Sequence, residues 1–264
     1  KSTIAEEFAK QEYKSYLKID FSRTSKAVHQ LFEDISNLDF FFTQLQLHFN
    51  VTLYPRKSVI IFDEIQLQPL ARQAIKYLIE DGRYDYIETG SLLSIKKNIK
   101  GILIPSEETR IDMYPLDYEE FRWALGDEAT IPLLKSVFEK RQSLGDDTNR
   151  KLMRDFRLYM LVGGMPQAVN DYLEAHDLNI VDQRKSSILD LYDQDFYHLD
   201  SSGVTSQLFH AIPAQLTGNA SRYKVSSVIT DGRIDRLQEQ IAILKDSMTV
   251  NIAYHANDPS AGLA

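Results

Sequence analysis

Ser58-Val59-Ile60-Ile61-Phe62-Asp63-Glu64 is an apolar, β-branched run that ends in two adjacent carboxylates. A short run of this kind predicts a strand buried on both faces of a parallel sheet. Two ionised carboxylates inside such a strand would be costly. They are therefore expected to emerge at its C-terminal edge, where open α/β sheets bind ligands. An ordinary core strand running into a charged loop reads the same way, so the rest of the chain has to decide.

The stretch Lys1-Ser2-Thr3-Ile4-Ala5-Glu6-Glu7-Phe8 corresponds to the last two letters of G-x-x-x-x-G-K-[ST] and the helix that follows. In a P-loop, backbone N–H groups cradle phosphates at a helix N-terminus, the Lys reaches the β/γ-phosphates and the hydroxyl binds Mg²⁺. Lys1 and Ser2 fill those roles, with Thr3 beside them as a third candidate nucleotide-binding residue. Ile4 and Phe8, four apart, are expected to pack the helix onto the sheet. Beside this signal, Ser58–Glu64 takes the form of a Walker B strand. Asp63 would hold Mg²⁺ directly or through water, and Glu64 would polarise the attacking water. The motif's glycines do not stand before Lys1. The expectation is a longer protein whose glycine-rich turn precedes Lys1; the alternative is a chain without a phosphate cradle.

The 264 residues carry 30 basic and 38 acidic side chains, a formal charge of −8. That balance argues against a general nucleic-acid coat protein. With no cysteine, disulfides, thiolate zinc sites and iron–sulfur clusters are excluded, and a cytoplasmic location is expected. No apolar run approaches the roughly 18 residues needed to span a bilayer.

Ser15–Asp20 alternates and predicts the strand after the first helix. From Leu38, the residues Phe41, Phe42, Leu45 and Phe49 recur at helical spacing, so Phe40-Phe41-Phe42 reads as a core face. Pro69 fits the first turn of a helix that carries Ala71, Ala74, Ile75, Leu78 and Ile79 inward, with Asp81-Gly82 at its end. The next strand, Asp85–Glu88, runs into Thr89-Gly90-Ser91. Thr89 or Ser91 stands where a sensor residue would hydrogen-bond the γ-phosphate or the attacking water. Ile102–Ile104 and Arg110–Met113 are expected to form a further strand pair. Asp117, with Glu120 at N3, predicts a capping box. Gly163-Gly164 should end a helix lined by Leu152, Phe156, Tyr159 and Met160, and Pro166 should start the next. After Ser201-Ser202-Gly203 come a helix near Val204–Leu216, a short Val225–Ile229 segment, a helix near Ile234–Met248 and a strand near Val250–Tyr254. That order is the order of a winged helix. Five basic and five acidic residues from Ser201 onward do not support DNA binding there.

Six pieces, "KSTIAEEFAK", "SVIIFDEIQ", "YIETGSLLS", "IDMYPLDYEEF", "YMLVGGMPQAV" and "LYDQDF", occur in one order and spacing. Together they resemble the prokaryotic AAA-type ATPases that join a P-loop domain to a C-terminal domain of unknown function. The resemblance implies an α/β P-loop NTPase core of the AAA type over 1–125, its parallel sheet sandwiched by helices. It implies a helical lid region over 126–200 and a winged-helix-like segment over 201–264, with a nuclease-like portion expected beyond. It also implies ATP and Mg²⁺ as ligands. Lys1, Ser2 and Thr3 would bind nucleotide, Ser2 and Asp63 the metal, and Glu64, Thr89 and Ser91 would act on the reacting phosphate or water. Arg110 lies near the family's arginine before the "PL" segment, but Thr109 replaces the usual glycine. The expected function is ATP hydrolysis coupled to a conformational switch on a protein partner. Two other classes stay open: a non-catalytic scaffold with an ATPase fold, and a DNA-processing ATPase whose nuclease portion lies elsewhere.

Overall fold

The computed structural model describes residues 1–90, 108–217, 222–229, 232–233 and 237–253. Ser91, the expected strand Ile102–Ile104, and the ends of the elements expected at Ile234 and Tyr254 lie outside them. The chain divides into two compact units, one drawn from Lys1–Asp112 and Ile241–Ala264, the other from Met113–Gln240.

The first unit is built on a parallel sheet of three strands, β1 (Ser15–Asp20), β2 (Ser58–Asp63) and β3 (Asp85–Glu88), in the order β1-β2-β3. Asp20 pairs with Asp63, and Phe62 with Glu88. Every residue of the central β2 is buried, as its unbroken apolar run requires. The period of two splits its side chains between two clusters. Ile60 and Phe62 join Leu17, Ile19, Phe21, Phe32, Phe41, Phe42 and Leu45. Val59 and Ile61 pack with Ala9 on the other face.

Helix α1 (Ser2–Glu12) covers that second face. The expectation that Ile4 and Phe8 would pack it down is corrected: they are 58% and 49% exposed. Ala5 and Ala9, also four apart, make the contact. Small side chains let the helix backbone come close, and Phe8 meets only the edge of Tyr13. Helix α2 (Lys26–Leu31) was not legible from periodicity; it contributes one buried residue, Val28. Helix α3 (Leu38–Phe49) is capped by the Asn37 side chain, which accepts from the Phe40 N–H at 3.0 Å, and ends at Asn50 in a left-handed conformation. Phe41 and Phe42 are buried, whereas Phe40 is exposed on the opposite side, so the aromatic run splits between core and solvent. Helix α4 (Pro69–Asp81) starts on Pro69 and stops at Gly82, whose φ of 69° suits glycine. Ala71, Ala74, Ile75 and Leu78 face the core as expected.

The second unit is helical: α5 (Tyr118–Ala124), α6 (Thr130–Glu139), α7 (Asp146–Val162), α8 (Pro166–Ala175), α9 (Leu178–Leu199), α10 (Val204–His210) and α11 (Ile212–Thr217). The capping box at α5 is present in full. The core of this unit is small, made of Phe121, Val162, Ala168, Val169 and Val181. Two sequence segments meet beside it. The Leu116 N–H donates to the Gly164 carbonyl at 2.7 Å, and the Tyr159 hydroxyl donates to the Leu116 carbonyl at 2.8 Å. A Cβ on Gly164 would lie 2.0 Å from that Leu116 oxygen, so only glycine fits. Asp193, expected on a solvated face or cap, instead accepts from Ser206 at 2.6 Å and meets His210, tying α9 to α10.

Several expectations fail here for local reasons. Arg110–Met113 forms no strand; Arg110 donates to Asp112 at 2.9 Å on the surface. Met160 is exposed, and Val162 takes the buried place on α7. The single helix expected over Val204–Leu216 breaks at Ala211, just before Pro213, which has no N–H to continue the ladder. Val225–Ser227 is a short 3₁₀ turn, and α12 (Gln238–Asp246) follows at the division between the units. No strand forms over 250–253, so the winged-helix order is not completed among the described residues.

Candidate functional site

The C-terminal ends of the three strands carry the polar cluster. Asp63 closes β2, and its side chain collects groups from three other elements. Ser2, at the start of α1, donates its hydroxyl to Asp63 Oδ1 at 2.6 Å. Thr89, just past β3, donates its hydroxyl to the same oxygen. Lys18, on β1, places its ammonium 3.5 Å from Oδ2 and 3.2 Å from Glu6 Oε2 of α1. The backbone holds this arrangement in place. Thr89 N–H donates to the Phe62 carbonyl at 2.9 Å, Ile65 N–H to the Thr89 carbonyl at 3.1 Å, and Phe21 N–H to the Asp63 carbonyl at 3.0 Å. The ladder thus continues one residue beyond the strands, and Thr89 has no freedom to turn away from Asp63.

Asp63 is 5% exposed. Burial alone would push its pKa up; the Ser2 and Thr89 hydroxyls and the Lys18 charge outweigh burial and hold it below the ordinary carboxylate value. Glu6 is also held low, first by Lys18 and then by Lys10. The carboxylate at the strand end is therefore ionised at neutral pH.

Glu64 directly follows. Its backbone is left-handed, with φ 56° and ψ 44°, which turns the chain sharply into the 3₁₀ turn Ile65–Leu67. Its Oε2 accepts from Gln66 Nε2 at 2.5 Å. Lys1 extends its ammonium to within 3.5 Å of the Gly90 carbonyl, close to the same strand ends. Thr3 is exposed in the first turn of α1 and takes no part in the cluster. Of the expected site residues, then, Ser2, Asp63 and Thr89 converge, Lys1 and Glu64 flank them, and Ser91 is not described.

Sequence reasoning missed Lys18 and Glu6. A signal existed: Lys18 sits between Leu17 and Ile19 in an alternating strand, on a face that a helix must cover, and a lysine there needs a carboxylate partner. It also missed a second buried network. Arg72 of α4 is 6% exposed and donates to both Glu88, at the end of β3, and Glu108. Burial raises the Glu88 pKa to about 7, against the opposing Arg72 charge and with help from Glu108. No pattern in the sequence joins positions 72, 88 and 108.

No group of three or more His, Cys, Asp or Glu side chains gathers as a metal site among the described residues. Mg²⁺ at a nucleotide site does not need one; it is held by one or two carboxylates, a hydroxyl, waters and the phosphates themselves. An ionised Asp63 with the Ser2 and Thr89 hydroxyls is a set of hard oxygen donors that fits this ion and fits none of the softer metals.

Residues 1–122 match the family model of an AAA domain. The AAA domain thus contains the whole sheet and every residue of the Asp63 cluster. Residues 153–262 match a model described as a domain of unknown function, DUF8612. No curated protein and no solved structure matches the chain. AAA-type ATPase domains bind nucleotide, usually with Mg²⁺, so the match and the oxygen cluster point the same way. No helix among the described residues is long and apolar enough to cross a membrane.

Proposed function

We propose that the AAA domain binds Mg-ATP at the C-terminal edge of the sheet and hydrolyses it, and that the nucleotide state is passed to a protein partner. The observation that carries this reading is the convergence of Ser2 and Thr89 on one oxygen of Asp63, a residue at the end of a fully buried strand. Lys1, Ser2 and Thr3 lie where a P-loop contacts phosphate. Phosphoryl transfer to water needs charge neutralisation and alignment more than covalent help. Bound Mg²⁺ supplies that neutralisation on the β/γ-phosphates. Ser2 and Asp63 hold the metal, Lys1 sets a positive charge beside the phosphates, and Glu64 orients the water. Thr89, with Ser91 beyond it, sits at the sensor position. Its hydroxyl, now given to Asp63, is one rotation from a γ-phosphate or a water.

Two measurements on the complete gene product test this. Calorimetry is expected to show Mg-ATP binding by both the parent protein and Glu64→Gln. Turnover is expected to fall about a hundredfold or more in the variant, the usual size of a general-base contribution. Equal turnover would remove Glu64 from its role. No binding by either protein would favour the non-catalytic scaffold, and partner capture would become the next experiment.

A further inference from the structure

Lys18 is more than a strut between α1 and β1. Its ammonium stands between two carboxylates, 3.5 Å from Asp63 Oδ2 and 3.2 Å from Glu6 Oε2. The two oxygens of Asp63 are thereby divided. Oδ1 takes neutral hydroxyls from Ser2 and Thr89, while Oδ2 faces a full positive charge. Glu6 is itself well anchored: Tyr16 donates to its Oε1 at 3.1 Å, and Lys10 lies 3.3 Å from the same oxygen. Lys18 therefore keeps a fixed partner if it leaves Asp63. Its side chain is 27% exposed, so room exists on one side. A lysine ammonium is a compact, hydrated charge on a flexible stem, well suited to such a shift.

Resting on the reading of Asp63 as the metal-holding carboxylate, we infer that Lys18 is a tethered counter-cation that competes with the divalent ion for Asp63, with Glu6 as its second seat. The physical ground is like-charge repulsion. An ammonium within 4 Å of the ligating carboxylate disfavours a divalent cation at that carboxylate, and partial burial keeps the effect from being fully screened. The metal-free protein is stabilised by the internal cation. Metal entry requires Lys18 to withdraw toward Glu6, so divalent affinity is set by two residues of which neither is a ligand.

The test counts free Mn²⁺ by electron paramagnetic resonance with the complete gene product saturated with ADP. Lys18→Met is expected to tighten Mn²⁺ binding roughly threefold to tenfold. Glu6→Gln leaves Lys18 to Asp63 alone and is expected to weaken it about twofold to threefold. Lys18→Arg keeps the charge and should stay near the parent value. A merely structural role would weaken binding in both of the first two variants, so the opposite signs are diagnostic. Lys18→Gln serves as a second probe if the Met variant melts early. Unchanged or weakened Mn²⁺ binding in both Lys18→Met and Lys18→Gln overturns the inference. Asp63→Asn separates it from the functional reading: Mn²⁺ bound equally well by that variant overturns the assignment of Asp63 and the inference with it. Loss of binding there, beside unchanged Lys18 variants, overturns the inference alone.

Discussion

In the sheet unit, Phe62 lies within 6.0 Å, centroid to centroid, of the rings of Phe21, Phe32 and Tyr86, and all six residues of β2 are buried. In the helical unit, α6 buries no residue at all, and its Phe138 is 84% exposed. The same composition of apolar side chains is thus used in two ways. The sheet unit excludes water from a continuous aromatic and aliphatic core. The helical unit leans on a five-residue core, a backbone contact between Leu116 and Gly164, and polar ties such as Arg122 to Asp127 and Asp155. Side-chain volume specifies the first, and backbone and hydrogen-bond geometry much of the second.

The strongest way to break the comparison is Phe62→Ala. Removing a fully buried aromatic from the central strand is expected to cost about 3–5 kcal/mol, read as a fall in the chemical-denaturation midpoint of the sheet unit. A loss under about 1 kcal/mol would mean that the core closes up around the gap. Next in size is Gly164→Ala. One added methyl meets a carbonyl oxygen rather than a yielding side chain, and the expected cost is about 3 kcal/mol. Hydrogen exchange should show faster opening around α7 and α8, with protection in β2 unchanged. Loss of protection in both units alike would show that they do not respond separately.

The smallest effect sharpens the sheet side of the contrast, because Glu88 is the one charge-bearing group there whose pKa burial raises to about 7. A carboxyl with a folded pKa above its unfolded value near 4.5 favours the folded state when protonated. Its contribution is present below about pH 4.5 and is lost as pH rises through about 7. Against Glu88→Gln, wild-type stability should therefore fall by about 1–3 kcal/mol across that window. Parallel pH profiles for the two proteins would show that the Arg72 charge compensates the burial in full.

Much of the sheet unit could be read from the chain because its rules are local. The alternation of Ser15–Asp20, the unbroken run of Ser58–Asp63, Pro69 at a helix start and Gly82 at its end each carry their structure in a few residues. The Asp63 cluster was legible in part, since Ser2, Asp63 and Thr89 belong to recognisable positions. Lys18 and Arg72 were not, because a buried cation is explained by partners that the fold brings from far along the chain. The helical unit was read less well for the same reason. Periodicity put Met160 on the buried face of α7, yet a small core admits only some of the apolar positions, and which ones depends on the neighbouring helices. The weak periodicity of α6, with nothing buried, left no pattern to find.

Glu64 draws a different lesson from the backbone. Its left-handed conformation costs a β-carbon-bearing residue on the order of 1 kcal/mol or more, and glycine would adopt it freely. Folding stability and the proposed chemistry therefore ask for different residues at one position. A drift toward greater robustness would replace the acid first at this turn, so the persistence of glutamate here is a mark of selection for work rather than for endurance.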